Sequence, residues 1–307
     1  MNLLALLLIT LHGPMLVPDS HGKFDFIEVD PQTSRLLASH AGNKTLDIFD
    51  SVSGKLLAHC PTGAAQGVAI DAASDNYYVS VSAEQKMVTV DGKTMGKTAE
   101  TALPGKADVL AFDSKNGCAY VCHDDGTEVW VVDVKASKIV GTVTIPTDPE
   151  ALVWNPQSDR VLLNIKSADV VAVIDPGTNK VVDKWATAPA ASPHGLALDA
   201  DSHHLFVVGG NGKLVMLDSD SGKLIASCDV APKVDQIAFD PELKRIYCAS
   251  GTGVLSVVQV KGAAMQRAAD VPTHKGAHSV AVDGKTHNVW TAYADGEQSY
   301  IEGFGAK

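Results

Sequence analysis

Short apolar runs separated by turn formers fill the chain from about residue 22 onward, and one run recurs seven times with the same acidic or amide ending. It reads FIEVD closing at Asp30, GVAID at Asp71, VLAFD at Asp113, ALVWN at Asn155, GLALD at Asp199, QIAFD at Asp240 and SVAVD at Asp283. Successive endings lie 41, 42, 42, 44, 41 and 43 residues apart. A repeat of this length, built from short alternating segments, predicts one four-stranded blade of a β-propeller per period. The fourth repeat shows the pattern most plainly: ALVWN, RVLLNI, VVAVID and KVVDKWAT are the strands, and PQSD, KSAD and PGTN are the connections. Asp50, Asp91, Asp133, Asp175 and Asp218 close the third strands in the same way. An Asp or Asn at a strand end accepts backbone N–H bonds in the following turn, so both series define blades rather than chemistry.

The seventh repeat supplies only SVAVD, NVWTAYA and SYIEGFG, and its outer strand must come from elsewhere. Residues around Met15–Val17 occupy the equivalent place before the first repeat, so 14–20 are expected to be structural. The predicted architecture is an all-β, seven-bladed propeller forming a single domain over 14–307, its ring closed by an N-terminal strand that hides an open sheet edge.

The first eleven residues, MNLLALLLITL, have the length of a signal-peptide core and are too short to span a bilayer. They lack a preceding basic residue and a small-x-small cleavage site, so 1–13 read as a degenerate export signal, with an outer strand as the alternative. No other stretch approaches transmembrane length, and stable membrane insertion is not expected. Lys and Arg number 25 against 36 Asp and Glu, a net charge of −11 that argues against nucleic acid as the main partner. The five cysteines include no CxxC pair and read as small buried hydrophobes, with Cys118 and Cys122 too far apart along one strand face to bridge.

Candidate chemistry lies five residues before each first anchor. These positions carry Asp25, Gln66, Asp108, Glu150, His194, Asp235 and His278. The innermost strands of a propeller flank the central axis, so equivalent positions converge on one mouth of the channel. A second series, at the ends of the second strands on the same side, contributes His40 and His123 as further ligand-binding candidates. Crowded carboxylates repel unless a cation, a proton or a positively charged ligand intervenes. Mixed Asp, Glu and His donors suit Zn, Mn or Mg, whereas oxygen donors alone would suit Ca. Asp25, Asp108, Glu150, His194, Asp235 and His278 are therefore the metal candidates, and Glu150 and His194 are the catalytic candidates. No P-loop, GxSxG elbow, HExxH or dinucleotide fingerprint occurs.

The blade pattern, as in RVLLNIKSADVVAVIDPGTNKVV, resembles the YVTN-type propeller repeat, and residues 22–295 resemble the YncE-like family of bacterial propellers. The marks are FDF at Phe24–Phe26, Ser39–His40, Ala107–Asp108, Pro149–Glu150 and Val234–Asp235. By that resemblance Asp25, His40, Asp108, Glu150 and Asp235 occupy family positions, and the protein works outside the cytoplasm, in the periplasm or secreted. Gln66 departs from an expected histidine, and His194 and His278 stand where an uncharged residue and an arginine are expected. The expected function is binding of a small ligand or divalent metal ion at the channel mouth. The alternatives are a metal-dependent hydrolase, lactonase or lyase at that mouth, and a protein-interaction platform.

Overall fold

Each repeat folds into four antiparallel strands in sequence order, giving six sheets over 27–61, 65–102, 107–144, 149–186, 193–229 and 234–272. The computed structural model describes residues 8–306. In the seventh sheet Ser279–Asp283, Asn288–Asp295 and Gln298–Ala306 are completed by Leu8–Leu16, which pairs antiparallel with Gln298–Ala306. The ring closes through an N-terminal strand, as the missing fourth strand of the last repeat predicts. That strand begins at Leu8, earlier than the expected 14–20, and takes in Leu8–Gly13 of the segment set apart as an export signal. The remainder of that segment lies outside the described residues.

Strand burial follows distance from the axis. Third strands such as Val170–Asp175 are buried on both faces because neighbouring blades cover both, whereas the outer strand Lys138–Thr144 alternates between exposed and covered positions. Seven apolar clusters result, one at each junction between successive blades. At the seam between blades seven and one, Val17, Phe24, Ile27 and Phe49 pack against Trp290 and Ile301. The five cysteines are free, and Cys60, Cys122 and Cys248 are buried.

The anchors behave as turn builders. Asp30 Oδ1 accepts the Gln32 N–H at 2.8 Å, Asp113 Oδ1 that of Lys115 at 2.9 Å, and Asn155 Oδ1 that of Gln157 at 3.0 Å. Four residues after each anchor the backbone is left-handed in all seven blades, at Ser34, Asp75, Gly117, Asp159, His203, Lys244 and His287. Several anchors also tie blades together: Ser51 Oγ donates to Asp283 Oδ2 at 2.5 Å, and His287 Nδ1 lies 2.8 Å from Asp240 Oδ2.

Candidate functional site

A distortion repeated around the ring aims the polar residues at the axis. In blades two to six the innermost strand slips register between the sixth residue before the anchor and the third or fourth, as between Ala107 and Leu110 and between Pro149 and Leu152. Such a bulge re-aims the side chain within it, and the ring residue, five before the anchor, sits there in each case. In blades one and seven the innermost strands start only at Ile27 and Ser279, so Asp25 and His278 project from the chain just before them. Gly195 contributes a close approach. A side chain there would come within 2.9 Å of the Asp235 carbonyl, so the glycine lets blade six's strand bring Asp235 up to His194.

The result is a cavity of about 580 Å³ along the axis, into which Asp25, Asp108, Glu150, His194 and Asp235 project. Oxygen or nitrogen atoms of Glu150, His194 and Asp235 lie within 4.8 Å of one another. His194 Nδ1 lies 2.7 Å from the Ser192 carbonyl, which can only accept, so Nδ1 carries the proton and neutral His194 presents a free Nε2 lone pair. That Nε2 is 4.0 Å from Glu150 Oε1. His278 Nδ1 pairs with Asp235 Oδ2 at 2.7 Å, and Lys166 Nζ is ion-paired with Glu150 Oε1.

The electrostatics divide these groups. Burial pushes Asp25 up to about 6, assisted by the Asp235 charge and opposed by His278. Burial likewise lifts Asp108 well above the usual carboxylate range, with Asp25 and Glu150 adding to it. Burial also works on Asp235, but the hydrogen bond and charge of His278 outweigh it and hold this carboxyl low. His278 is raised because the same bond and charge overcome its own desolvation. Lys166 is raised in the same way, its burial outweighed by Glu150.

Four expected ligand residues do not line this cavity. His40 is fully buried, stacked on Phe24 at 3.9 Å, with Nδ1 2.7 Å from Asp47 Oδ2 and Nε2 3.1 Å from the Gly22 carbonyl. It stands one strand out from the axis, where neighbouring blades press face to face, and it serves the seam. His123 leans on Trp130 at 4.9 Å and is outside the cavity wall, as is Gln66, whose Oε1 is shielded and has no hydrogen-bond partner among the described residues. His278 reaches the site through Asp235. Two residues went unnoticed in the sequence. Lys166 directly follows the second strand of blade four, and Glu28 stands where five other repeats carry Ala69, Ala111, Ala197, Ala238 and Ala281. A charged residue at a position held elsewhere by alanine or, in the fourth repeat, by Val153 was the available signal for Glu28.

Comparison with known proteins yields no matching family model. Sequence similarity is found to YncE of Salmonella typhi, 28% identical over 146 residues, covering 46% of this chain and 40% of that protein. YncE of Salmonella typhimurium strain LT2 is 21% identical over 237 residues, covering 72% of this chain and 67% of that protein. The chain is a propeller similar to YncE. The match to the first YncE thus spans less than half of either protein. Structural likeness is broader. A chain of the Kuenenia stuttgartiensis hydrazine synthase superposes with a TM-score of 0.76 at 15% identity, covering 91% of this chain and 96% of its own. A chain of a mitotic checkpoint complex gives 0.80 at 14% over 96% and 92%, and the RRP9 WD40 repeats give 0.78 at 11% over 99% and 98%. At such identities these likenesses speak for the fold alone, beside the sequence similarity to YncE. Among the described residues no helix is long and apolar enough to cross a membrane.

Proposed function

We propose that the protein is a binding propeller working outside the cytoplasm, which takes a divalent metal ion, or a small ligand through that ion, at the polar mouth of its channel. The observation that carries this reading is the convergence of Glu150, His194 and Asp235 to within 4.8 Å. One neutral imidazole nitrogen and two carboxylates form a donor set that fits Zn or Mn better than Ca. A cation there would offset the burial, and with it the repulsion, that keep Asp25 and Asp108 protonated to unusually high pH. It must compete with Lys166 for Glu150.

The test is calorimetric titration of metal-stripped protein with Zn²⁺ and Mn²⁺. Binding weakened in Glu150→Gln and His194→Ala and strengthened in Lys166→Met supports the reading, and no saturable binding overturns it. Fractionation of the native host tests the location, which rests on the YncE resemblance. A hydrolytic or lyase activity is a second reading, favoured by the His194 tautomer. In this reading the free Nε2, 4.0 Å from Glu150, acts as a general base in place of a metal donor, and a metal held by the carboxylates of the mouth would supply Lewis acidity beside it.

A further inference from the structure

The cavity does not end at the acidic mouth. It continues through the disc to the opposite face, where Pro31, Pro241 and Gly284 border it. Its character changes on the way. The residue just before each anchor is apolar in all seven repeats, and Ile70, Phe112, Trp154, Phe239 and Val282 line the lower channel. One level above, the small side chains of Ala69 and Ala111 line the channel, and Glu28 stands beside them. Among the described residues the Glu28 carboxylate has one hydrogen bond, from the Val29 N–H to Oε1 at 3.2 Å, and no ion-pair partner. Burial pushes this carboxyl up to about 7, with only the Val29 N–H pulling it down. A carboxylate that far from bulk water and without a cation leaves an interaction unmade.

We propose that the lower channel is a second ligand site, entered from the face opposite the acidic mouth, for a small arylalkylamine whose ammonium group bonds Glu28 while its ring lies among Phe112, Trp154 and Phe239. The chemistry follows from the lining. Aromatic and branched side chains accept a flat apolar body, and the one charge among them is negative and desolvated, the setting in which a charge-assisted bond is strongest. The channel as a whole, acidic mouth included, holds about 580 Å³, within the range of small-molecule sites. Anionic and neutral analogues of the same shape are disfavoured, because they leave Glu28 unpaired or repel it.

The experiment is calorimetric titration with phenethylamine, 2-phenylethanol and 3-phenylpropionate. Wild-type protein is expected to bind the amine saturably and in preference to the other two. Glu28→Gln should weaken the amine by about tenfold or more, the loss of one charge-assisted bond, without weakening the alcohol. Ala111→Phe, which fills the channel at the level of Glu28, should abolish binding of the amine, with circular dichroism confirming the fold. Glu150→Gln and His194→Ala should leave amine binding unchanged, so this site and the metal site stand or fall separately. Absence of saturable amine binding, equal affinity in Glu28→Gln, or undiminished binding in folded Ala111→Phe would each overturn the assignment.

Discussion

Gln236 Nε2 donates to the Ile27 carbonyl at 2.6 Å although 209 residues separate the two in sequence. Gln236 Oε1 also accepts the N–H groups of Ile27 at 3.3 Å and Val280 at 3.2 Å, so one side chain from blade six ties the innermost strands of blades one and seven. Those two strands are the shortest innermost strands of the ring, at four and five residues, and the amide group satisfies backbone that they leave open. Gln236→Ala is therefore expected to cost about 2 kcal/mol, measured by chemical denaturation. An unchanged midpoint would show that water replaces the amide at no cost.

The Asp235–His278 pair makes stability depend on pH in a defined window. Asp235 is held low, so its contribution is present above the ordinary Asp range and lost as pH falls through its folded value. His278 is raised, so its contribution is present below its ordinary value of about 6.5 and lost as pH rises through its folded value. His278→Asn should lower stability between those limits by about 1 kcal/mol, a pair at a wet mouth being screened. The variant and wild-type melting curves should converge on the alkaline side.

Asp25 and Asp108 act in the opposite sense. A carboxyl with a raised folded value opposes folding once ionised, and for Asp25 this penalty grows from the ordinary Asp range up to about pH 6 and stays above it. Asp25→Asn and Asp108→Asn should each raise the stability of metal-free protein at pH 8 by about 1 kcal/mol, allowing for solvent at the mouth. The gain should vanish near pH 4. A melting temperature at pH 8 equal to wild type would show that the mouth is not electrostatically strained.

At the seam, Asp47 is fully buried and holds three donors: His40 and His59 through Nδ1, each at 2.7 Å, and Thr45 Oγ1 at 2.6 Å. His59 Nε2 also reaches the Pro18 carbonyl at 3.0 Å, so both nitrogens of this ring donate and it is charged in this arrangement. Asp47→Ala strands these groups and is expected to cost about 3 kcal/mol in denaturant titration and to speed proteolysis near 17–22. Desolvation notwithstanding, Asp47 raises His59, so the His59 contribution is lost as pH rises through that folded value, and His59→Ala should abolish this part of the alkaline decline.

Blade count, strand order and the origin of the closing strand were legible because the repeat writes the same instruction seven times. The ring residues were legible for the same reason: five of the seven, Asp25, Asp108, Glu150, His194 and Asp235, line one cavity, and His278 pairs with the last of them. His40 was misplaced because a strand-end position says which face of the disc a residue is near, and not whether a neighbouring blade will cover it. Lys166 escaped notice because it lies in a short 3-10 turn outside the strand pattern, and Glu28 because it departs from the repeat instead of obeying it.

The composite seventh blade also orders events in time. Within the ring, Leu8–Leu16 is made before every other strand yet finds its partner only when Gln298–Ala306 has been made, whereas each of the other six sheets is complete within its own stretch of chain. Six blades can assemble by neighbour contact as they emerge, while the one pairing that spans the chain carries the greatest loop-closure cost. Until it forms, the last strand offers a free edge to any passing strand, so the latch that finishes the ring is also what ends the nascent protein's exposure to mispairing.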